Sequence, residues 1–412
     1  MFTKKRQQMK KLMILAFMSV SLTACADVKN EQETFETVIS VENMDAVPET
    51  PQTLPTESGQ EEETQEQPQS VELIMVGDVL LHTRVSDSGL QEDGTYQYDH
   101  LFAQVKEKVE SADLALVNQE VILGGTKLGL SGYPCFNGAY EVGDSLVNAG
   151  FDVILHATNH AMDKGKTGIL NCLHFWKENY PQIGVTGIYE TQEEADEIYV
   201  TTVNDIRIAV LNYTYGTNGI ALPADMPYAV SLWDEEKIRQ DVEKARKEAD
   251  FIVVCPHWGT EYMLEETADQ RKKAQFLADL GVDLIIGTHP HVIEPVEWIT
   301  GEDGTQTLCY YSLGNFINAT SGTGADTANR MVGGMADVII TMEDGEAIIE
   351  EYGIEPLVSH LVEGRGKMTT YFLRDYTPEL AAENEIRKQD SSFSLPYCVD
   401  LCRRVFGDLF VE

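Results

Sequence analysis

Apolar and polar residues alternate in two patterns from residue 71 onward. Short apolar runs predict buried strands, and runs with apolar residues every three or four positions predict amphipathic helices. The predicted strands are residues 71–76, 113–117, 152–155, 206–212, 251–255, 283–286, 308–312 and 335–341. The predicted helices are residues 100–110, 141–149, 165–179, 234–249 and 267–280. Because helices lie between several of the strands, we expect an α/β fold with helices packed on its sheets.

Residues of the kinds that bind metals or transfer protons follow several predicted strands. In α/β sheets the functional site lies beyond the carboxyl ends of the strands, so these residues are candidates for one shared site. The candidates are Asp78, His82, Glu120, Asn159, His160, Asp163, His257, His289 and His291.

The candidate residues offer carboxylate, amide and imidazole groups but no thiolate. This set suits Mn, Fe or Zn and argues against a closed structural zinc site. Ligands from several strand ends could hold two divalent metal ions about 3.5–4 Å apart, which would lower the pKa of a water molecule to about 7. The sequence lacks a Gly-x-Ser-x-Gly motif and a Walker-type phosphate loop, so metal-assisted hydrolysis is favoured over these chemistries.

Each candidate also has a purely structural interpretation. Asp78, which follows a glycine, could begin a helix or lie in a turn, and Glu120 could be a solvated acid. Asn159 could occupy a turn in the left-handed conformation. His289 and His291 are the hardest to explain by packing, because two imidazoles directly follow an apolar strand. Ligand-type residues behind five separate strands are better explained by one common site.

The 412-residue chain is strongly acidic, with 68 Asp and Glu against 30 Lys and Arg and a net charge of −38. Such a chain is repelled by phosphate backbones, so we expect no nucleic-acid partner. Hydrophobic residues make up 43% of the chain, which is normal for a globular protein and excludes a wholly disordered one.

Residues 1–25 have the features of an export signal. A basic segment precedes an apolar run at residues 12–22, which is too short to span a bilayer. The run ends in Leu22-Thr23-Ala24-Cys25, which resembles a bacterial lipobox with Cys25 as the lipidated residue. The alternative is an ordinary secretory signal with a chance cysteine. We expect a lipid anchor that holds the protein to the cell membrane on its extracytoplasmic face.

Three further regions follow the signal. Residues 26–70 are acidic and poor in large apolar side chains, which predicts a disordered linker. Residues 71–360 form the predicted main domain. Residues 361–412 are predicted to be a C-terminal extension that caps it, with partner docking as the alternative. For most of the six cysteines besides Cys25 we favour buried free thiols over disulfides, and Cys398 and Cys402 could share one helix face.

A series of motifs occurs in order between residues 71 and 320. It includes Gly77-Asp78-(x)3-His82, Asn118-x-Glu120, Gly132-Tyr133-Pro134-x-Phe136-Asn137, Asn159-His160-Ala161-x-Asp163, His257-Trp258-Gly259-x-Glu261, His289-Pro290-His291 and Ser312-Leu313-Gly314-Asn315-Phe316. This series resembles the CapA family, the capsule or poly-γ-glutamate synthesis proteins. The resemblance implies a branch of the calcineurin-like metallophosphoesterases, with a four-layer α/β/β/α sandwich and a dinuclear metal site.

The resemblance also implies roles by position. Asp78 and His291 would bind one metal ion, Asn159, His257 and His289 the other, Glu120 would bridge them, and His160 would stabilise the transition state. Asp163 could hold the ring of His160 in one tautomer. The Asp-x-His opening of the superfamily is absent, because Leu80 takes its second position and the nearest imidazole is His82, expected on the rim of the centre. Glu120 also stands where the superfamily has Asp.

Three classes of function follow from this interpretation. The first is a metal-dependent hydrolase that cleaves a phosphoester or amide bond in an anionic polymer or phosphoester substrate. The second is a non-catalytic subunit that binds or exports polymer with membrane capsule-synthase subunits. The third, a lipid-anchored solute-binding protein, is disfavoured by the metal-type residues. The acidic surface should repel polyglutamate unless bound metal ions invert the local field.

If Cys25 carries the lipid anchor, replacing it with Ser should change where the protein is found in the cell. Without the thiol the protein cannot be lipidated, so it should be released into the medium, whereas the unmodified protein stays with the membrane. Cell fractionation followed by immunoblotting measures this. A variant that still fractionates with the membrane would contradict the lipoprotein interpretation.

Overall fold

Two β-sheets face each other in this computed structural model, which describes residues 69–411. The strands are β1 (Ser70–Val79), β2 (Leu114–Asn118), β3 (Val153–Leu155), β4 (Gly184–Thr186), β5 (Tyr199–Val203), β6 (Ile206–Thr214), β7 (Phe251–His257), β8 (Leu284–Ile286), β9 (Val296–Thr300), β10 (Gln306–Tyr310), β11 (Asn315–Ile317), β12 (Val332–Glu343), β13 (Glu346–His360) and β14 (Thr369–Phe372). The α-helices are α1 (Thr83–Ser88), α2 (Lys106–Ser111), α3 (Tyr140–Ala149), α4 (Gly165–Asn179), α5 (Gln192–Asp196), α6 (Glu235–Glu248), α7 (Ala268–Asp279), α8 (Pro378–Glu383) and α9 (Leu395–Phe406).

The first sheet has the order β14-β13-β12-β1-β2-β3-β4, and β11 also pairs with β1. Strands β1 to β4 are parallel, whereas β12, β13 and β14 join as antiparallel neighbours. The second sheet has the order β5-β6-β7-β8-β10-β9, with a parallel centre and antiparallel edge strands. The parallel strands of each sheet therefore end together at one edge.

Strand β6 shows why the central strands are apolar on both faces. Its residues Ile208 and Val210 belong to the large core between the sheets, whereas Leu211 and Tyr213 belong to a second core under the helices. Parallel strands buried on both faces give continuous apolar runs of this kind. Across the interface between the sheets, the Sγ of Cys255 lies 3.7 Å from the Sδ of Met75.

Helices cover the outer face of each sheet. On the second sheet, α6 and α7 bury Ile238, Val242 and Leu277 against the strands. Asp234 caps α6 by accepting hydrogen bonds from two backbone amides, and Thr267 forms a capping box at the start of α7. Helices α3 and α4 pack on the first sheet through the large core. This arrangement confirms the predicted α/β fold with two sheets flanked by helices, the four-layer α/β/β/α sandwich.

The sequence pattern missed six strands for identifiable reasons. Strands β4 and β11 have three residues each, which is too short for a periodic signal. Strand β13 is long, but its first half is exposed and acidic and therefore lacks an apolar run. The helix observed in the region predicted as 100–110 is shorter than the prediction, because α2 begins only at Lys106. The other three missed strands, β5, β9 and β14, are edge strands of their sheets.

The C-terminal residues continue the first sheet. Strand β13 ends at His360, and β14 then pairs with β13, so the sheet continues past residue 360. Helix α9 buries Cys398, Leu401, Cys402 and Phe406 on one face. The six cysteines of the described region are all free thiols, and five of them are buried.

The N-terminal predictions fall outside the described residues. The export signal, Cys25 and all but the last two residues of the predicted linker lie before residue 69. Within residues 69–411, no helix is long and apolar enough to cross a membrane.

The close approach of β1 to the loop before β11 generates a stability prediction. A Cβ at Gly77 would lie 1.9 Å from the carbonyl oxygen of Gly314, which also accepts a hydrogen bond from the Asp78 amide at 2.9 Å. Replacing Gly77 with Ala should therefore lower the free energy of unfolding by about 1–3 kcal/mol, measured by urea denaturation. Gly353→Ala is the control, because a Cβ there meets no atom within 4 Å. Equal stability of the two variants would refute the steric argument.

Candidate metal centre

The carboxyl ends of the parallel strands from both sheets meet at one place. Asp78 lies at the end of β1, in register with Asn118 of β2, and Glu120 follows two residues later. His257 is the last residue of β7, and an isolated bridge pairs it with Thr288, just behind β8. The topology therefore gathers residues that are up to about two hundred positions apart in the sequence.

Two groups of buried ligand-type side chains lie at this meeting point. The first consists of Asp78, Glu120 and His291, and the second of Glu120, His257 and His289. Within each group the ligand atoms lie within 4.8 Å of one another. Glu120 belongs to both groups. The structure thus brings six of the predicted residues together, counting Asn159 described below.

Glu120 is a buried carboxyl group that has no hydrogen-bond partner in residues 69–411. It is fully buried, and neither of its oxygens forms a hydrogen bond with another described residue. Burial, together with the nearby charge of Asp78, raises the pKa of this carboxyl group. Buried carboxylates normally have hydrogen-bond partners or bind cations. The unpaired oxygens therefore fit a site for divalent metal ions.

His257 connects its group to Asn159. Its Nε2 lies 3.0 Å from the Oδ1 of Asn159 and 3.8 Å from Glu120, while its Nδ1 lies 3.0 Å from the hydroxyl of Thr288. Burial and the neighbouring imidazoles lower the pKa values of His257 and His289, so both rings are neutral. Neutral imidazoles are the form that binds metal ions. The Nδ1 of His289 is buried and has no hydrogen-bond partner in the part of the chain that the structure describes.

His291 is held by acceptors on one side and faces Glu120 on the other. Its Nδ1 lies 3.1 Å from Asp78 and 3.1 Å from the Oδ1 of Asn315, and its Nε2 lies 3.6 Å from Glu120. Burial opposes protonation, but the charges of Glu120 and Asp78 and the hydrogen bond to Asp78 raise the pKa of His291 to about 9. A cation at this group would compete with that proton.

The loop between β8 and β9 holds its two histidines in an unusual backbone conformation. His289 has a φ of 100° and His291 a φ of 59°, both in the region that favours glycine. Residues other than glycine adopt this conformation at an energetic cost, and such strain concentrates at functional sites. Backbone strain at two of the candidate ligands therefore indicates that the positions of these two imidazoles serve a functional site.

His160 and Asp163 form a pair beside the two groups. The Nδ1 of His160 donates to the Oδ2 of Asp163 at 2.7 Å, and the same oxygen accepts the backbone amide of Phe136 at 2.6 Å. The ring of Phe136 packs edge-on against His160 at 4.7 Å between centroids. Asp163 thus fixes the orientation of the His160 ring through its Nδ1 and leaves the Nε2 available for another partner.

His82 belongs to neither group of ligand-type residues. Its ring packs edge-on against Phe136, with 5.3 Å between centroids. Burial and the neighbouring His291 and His160 lower its pKa to about 4. His82 is therefore a neutral side chain in the wall near His160, and the sequence spacing alone could not distinguish this position from a ligand position.

Several polar and aromatic neighbours of the centre were not among the predicted site residues. Asn118 donates to Asp78 at 2.8 Å, and its Oδ1 is buried without a partner. Asn218 accepts a hydrogen bond from Asn159 at 3.3 Å, and the ring of Tyr215 lies 4.7 Å from that of His289. Asn118 could have been found, because it ends an apolar strand two residues before Glu120. Tyr215 and Asn218 lie in a loop without any periodic signal.

Comparison with known proteins gives consistent matches. The chain is 36% identical over 174 residues to the PGA biosynthesis protein CapA of Bacillus subtilis (strain 168). This alignment covers 42% of this chain and 44% of that protein. It is 28% identical over 260 residues to the capsule biosynthesis protein CapA of Bacillus anthracis, covering 60% and 59%. The chain thus spans about half the length of these two relatives.

A solved structure and a family model complete the comparison. The calcineurin-like phosphoesterase YfkN of Bacillus subtilis aligns with a TM-score of 0.38 and 14% identity, covering 81% of this chain and 99% of that chain. Residues 72–320 match the family model described as bacterial capsule synthesis protein PGA_cap. This match covers more than half of the chain and includes every residue of both ligand groups. The chain therefore belongs to the bacterial capsule synthesis protein family.

Proposed function

We propose that this protein is a metal-dependent hydrolase of capsule or poly-γ-glutamate biosynthesis, anchored by Cys25 to the extracytoplasmic face of the cell membrane. The observation that carries the hydrolase proposal is Glu120, a fully buried carboxylate with two unpaired oxygens shared by two groups of ligand-type residues. The names of the two relatives support the link to capsule and PGA biosynthesis.

The residues would hold two divalent ions, with Glu120 between them. Asp78 and His291 would bind the first ion, and Asn159, His257 and His289 the second. The set of oxygen and imidazole donors suits Mn, Fe or Zn. Such ions, when bound, polarise a phosphoryl or carbonyl oxygen and lower the pKa of a water molecule to about 7.

His160 would act on the reacting group and not on the metal ions. Its Nδ1 is occupied by Asp163 at 2.7 Å, so its Nε2 is the atom available to the substrate. An imidazole held in this way can stabilise developing charge or transfer a proton to the leaving group. Asp163 is itself buried and anchored to the Phe136 amide, which keeps the pair rigid.

The substrate would be an anionic polymer or a phosphoester. The net charge of −38 disfavours adsorption of such a polymer on the general surface. Bound divalent ions would reverse the sign of the field in the centre, so the anion would be attracted there. The lipid anchor would bring the protein close to membrane capsule-synthase subunits, which are the proposed partners.

Metal content of purified variants tests the shared position of Glu120. The unmodified protein should contain about two divalent ions per chain. Glu120→Gln should lose both ions, because it contributes to both groups, whereas His289→Ala should lose one. Mass spectrometry of the bound metals measures the stoichiometry, and the thermal shift on adding Mn²⁺ measures binding independently.

A second buried carboxylate provides the control for this experiment. Glu294 is also fully buried and has one unpaired oxygen, but it belongs to neither ligand group. Glu294→Gln should keep the metal content of the unmodified protein. If Glu120→Gln retained both ions, the proposal of a shared bridging carboxylate would be wrong.

His160→Asn should separate catalysis from metal binding. The variant should keep its metal ions while kcat falls by about 10²–10⁴, the usual effect of removing a general acid–base group. Hydrolysis of poly-γ-glutamate and of an aryl phosphate, measured beside metal content, gives both quantities. Loss of metal together with activity would instead identify His160 as a ligand. A fully metallated unmodified protein without any turnover would favour a non-catalytic polymer-binding or export subunit.

A further inference from the structure

Arg330 carries a positive charge next to the candidate metal centre without a carboxylate partner. It follows β11 and precedes β12, and it forms no salt bridge within residues 69–411. Of its five N–H donors, one contacts the hydroxyl of Thr320 at 2.8 Å. Its Nε is buried and has no hydrogen-bond acceptor. The guanidinium is therefore partly desolvated, and its Nε has no acceptor within residues 69–411.

The guanidinium is fixed in place by an aromatic ring that adjoins the centre. It lies over the ring of Tyr262, with 3.5 Å between its central carbon and the ring centroid. The Tyr262 ring lies 6.1 Å from the ring of His291, and the Tyr262 amide donates to the carbonyl of Pro290 at 2.7 Å. A stacked arginine of this kind presents its edge, with the N–H groups, to a ligand.

One side-chain amide ties the backbone of Arg330 to that of a candidate ligand. The Nδ2 of Asn315 donates to the carbonyls of both His291 and Arg330, at 3.0 and 2.9 Å. Its Oδ1 lies 3.1 Å from the Nδ1 of His291. The position of the guanidinium is thus linked directly to the histidine loop of the metal centre.

Space for a ligand lies beside Thr320, the residue that accepts a hydrogen bond from Arg330. Thr320, which accepts its hydrogen bond, lines a groove of about 560 Å³ together with His82, Tyr133 and Lys388. His82 is also close to the metal centre, because its ring shares the Phe136 contact with His160. The groove is therefore bordered by the hydrogen-bond partner of Arg330 and by His82, which lies near His160.

We propose that Arg330 binds an oxyanion of the substrate, a carboxylate or phosphate group, adjacent to the bond that the metal centre would cleave. This inference rests on the proposed function and adds a requirement for the substrate, which must carry a negative group near the scissile bond. Planar guanidinium groups match carboxylate and phosphate oxygens in geometry, and such charge-assisted hydrogen bonds are strong. Because the surrounding protein is acidic, a fixed cation at this place selects for anions.

Calorimetric titration of the Mn²⁺-loaded protein tests the proposal without requiring turnover. The probes are a γ-linked glutamate hexamer, the same hexamer with its α-carboxylates converted to amides, and inorganic phosphate. Arg330→Gln should weaken binding of the carboxylate hexamer about 10- to 100-fold and leave binding of the amide hexamer unchanged. Arg330→Lys, which keeps the charge but loses the planar donors, should give an intermediate loss.

Arg374 provides a matched control. It also stacks on an aromatic ring, that of Phe372 at 4.1 Å, but it is paired with Glu355. Arg374→Gln should bind every probe as tightly as the unmodified protein. If Arg330→Gln weakens phosphate binding and not hexamer binding, the oxyanion is a phosphate, and the proposal still holds.

Three outcomes would overturn the assignment of Arg330. They are unchanged affinity of Arg330→Gln for both oxyanions, loss of metal ions from that variant, and failure of the unmodified protein to bind either oxyanion. Turnover is measured separately in the same samples. Oxyanion binding that depends on Arg330 without any hydrolysis would remove the hydrolase proposal and leave the role of Arg330 in binding intact.

Discussion

A carboxylate that is buried without a hydrogen-bond partner is costly, and Glu120 is in this situation at the point where the two sheets meet. The surrounding structure keeps it there. Asp78 and Asn118 are fixed by adjacent parallel strands, and His257 by the opposite sheet. The arrangement of both ligand groups depends on this one side chain, because each group contains it. The fold thus places a carboxyl group that has no hydrogen-bond partner among residues 69–411 where a divalent cation would favour its ionised form.

The sequence allowed much of this arrangement to be predicted, because the informative signals were local. A polar residue directly after an apolar run, such as Asp78 near the end of β1 or His257 at the end of β7, indicates both a strand and a candidate site residue. The buried strands and the longer helices were predicted for the same reason. The division of the ligands into two groups was available only through the resemblance to a known family.

Other features could not be predicted, because they depend on contacts between distant segments. Arg330 lies in a region without periodic signal, and its importance follows only from its position over Tyr262. The spacing between Asp78 and His82 gave no indication that the imidazole would pack on Phe136 and stay outside both groups. The exposed half of β13 has no apolar run, so its pairing with β12 follows from tertiary structure alone.

The cysteines show that this fold is stable without disulfide bonds within residues 69–411. All six in residues 69–411 are free, and burial raises the pKa values of the five buried thiols, which keeps them protonated and unreactive. Stability therefore comes from packing and hydrogen bonds and not from cross-links. The five buried thiols should be insensitive to the redox potential of the surroundings, whereas the exposed Cys135 remains accessible to oxidants. A cell that lacks disulfide-forming enzymes should therefore still be able to fold residues 69–411.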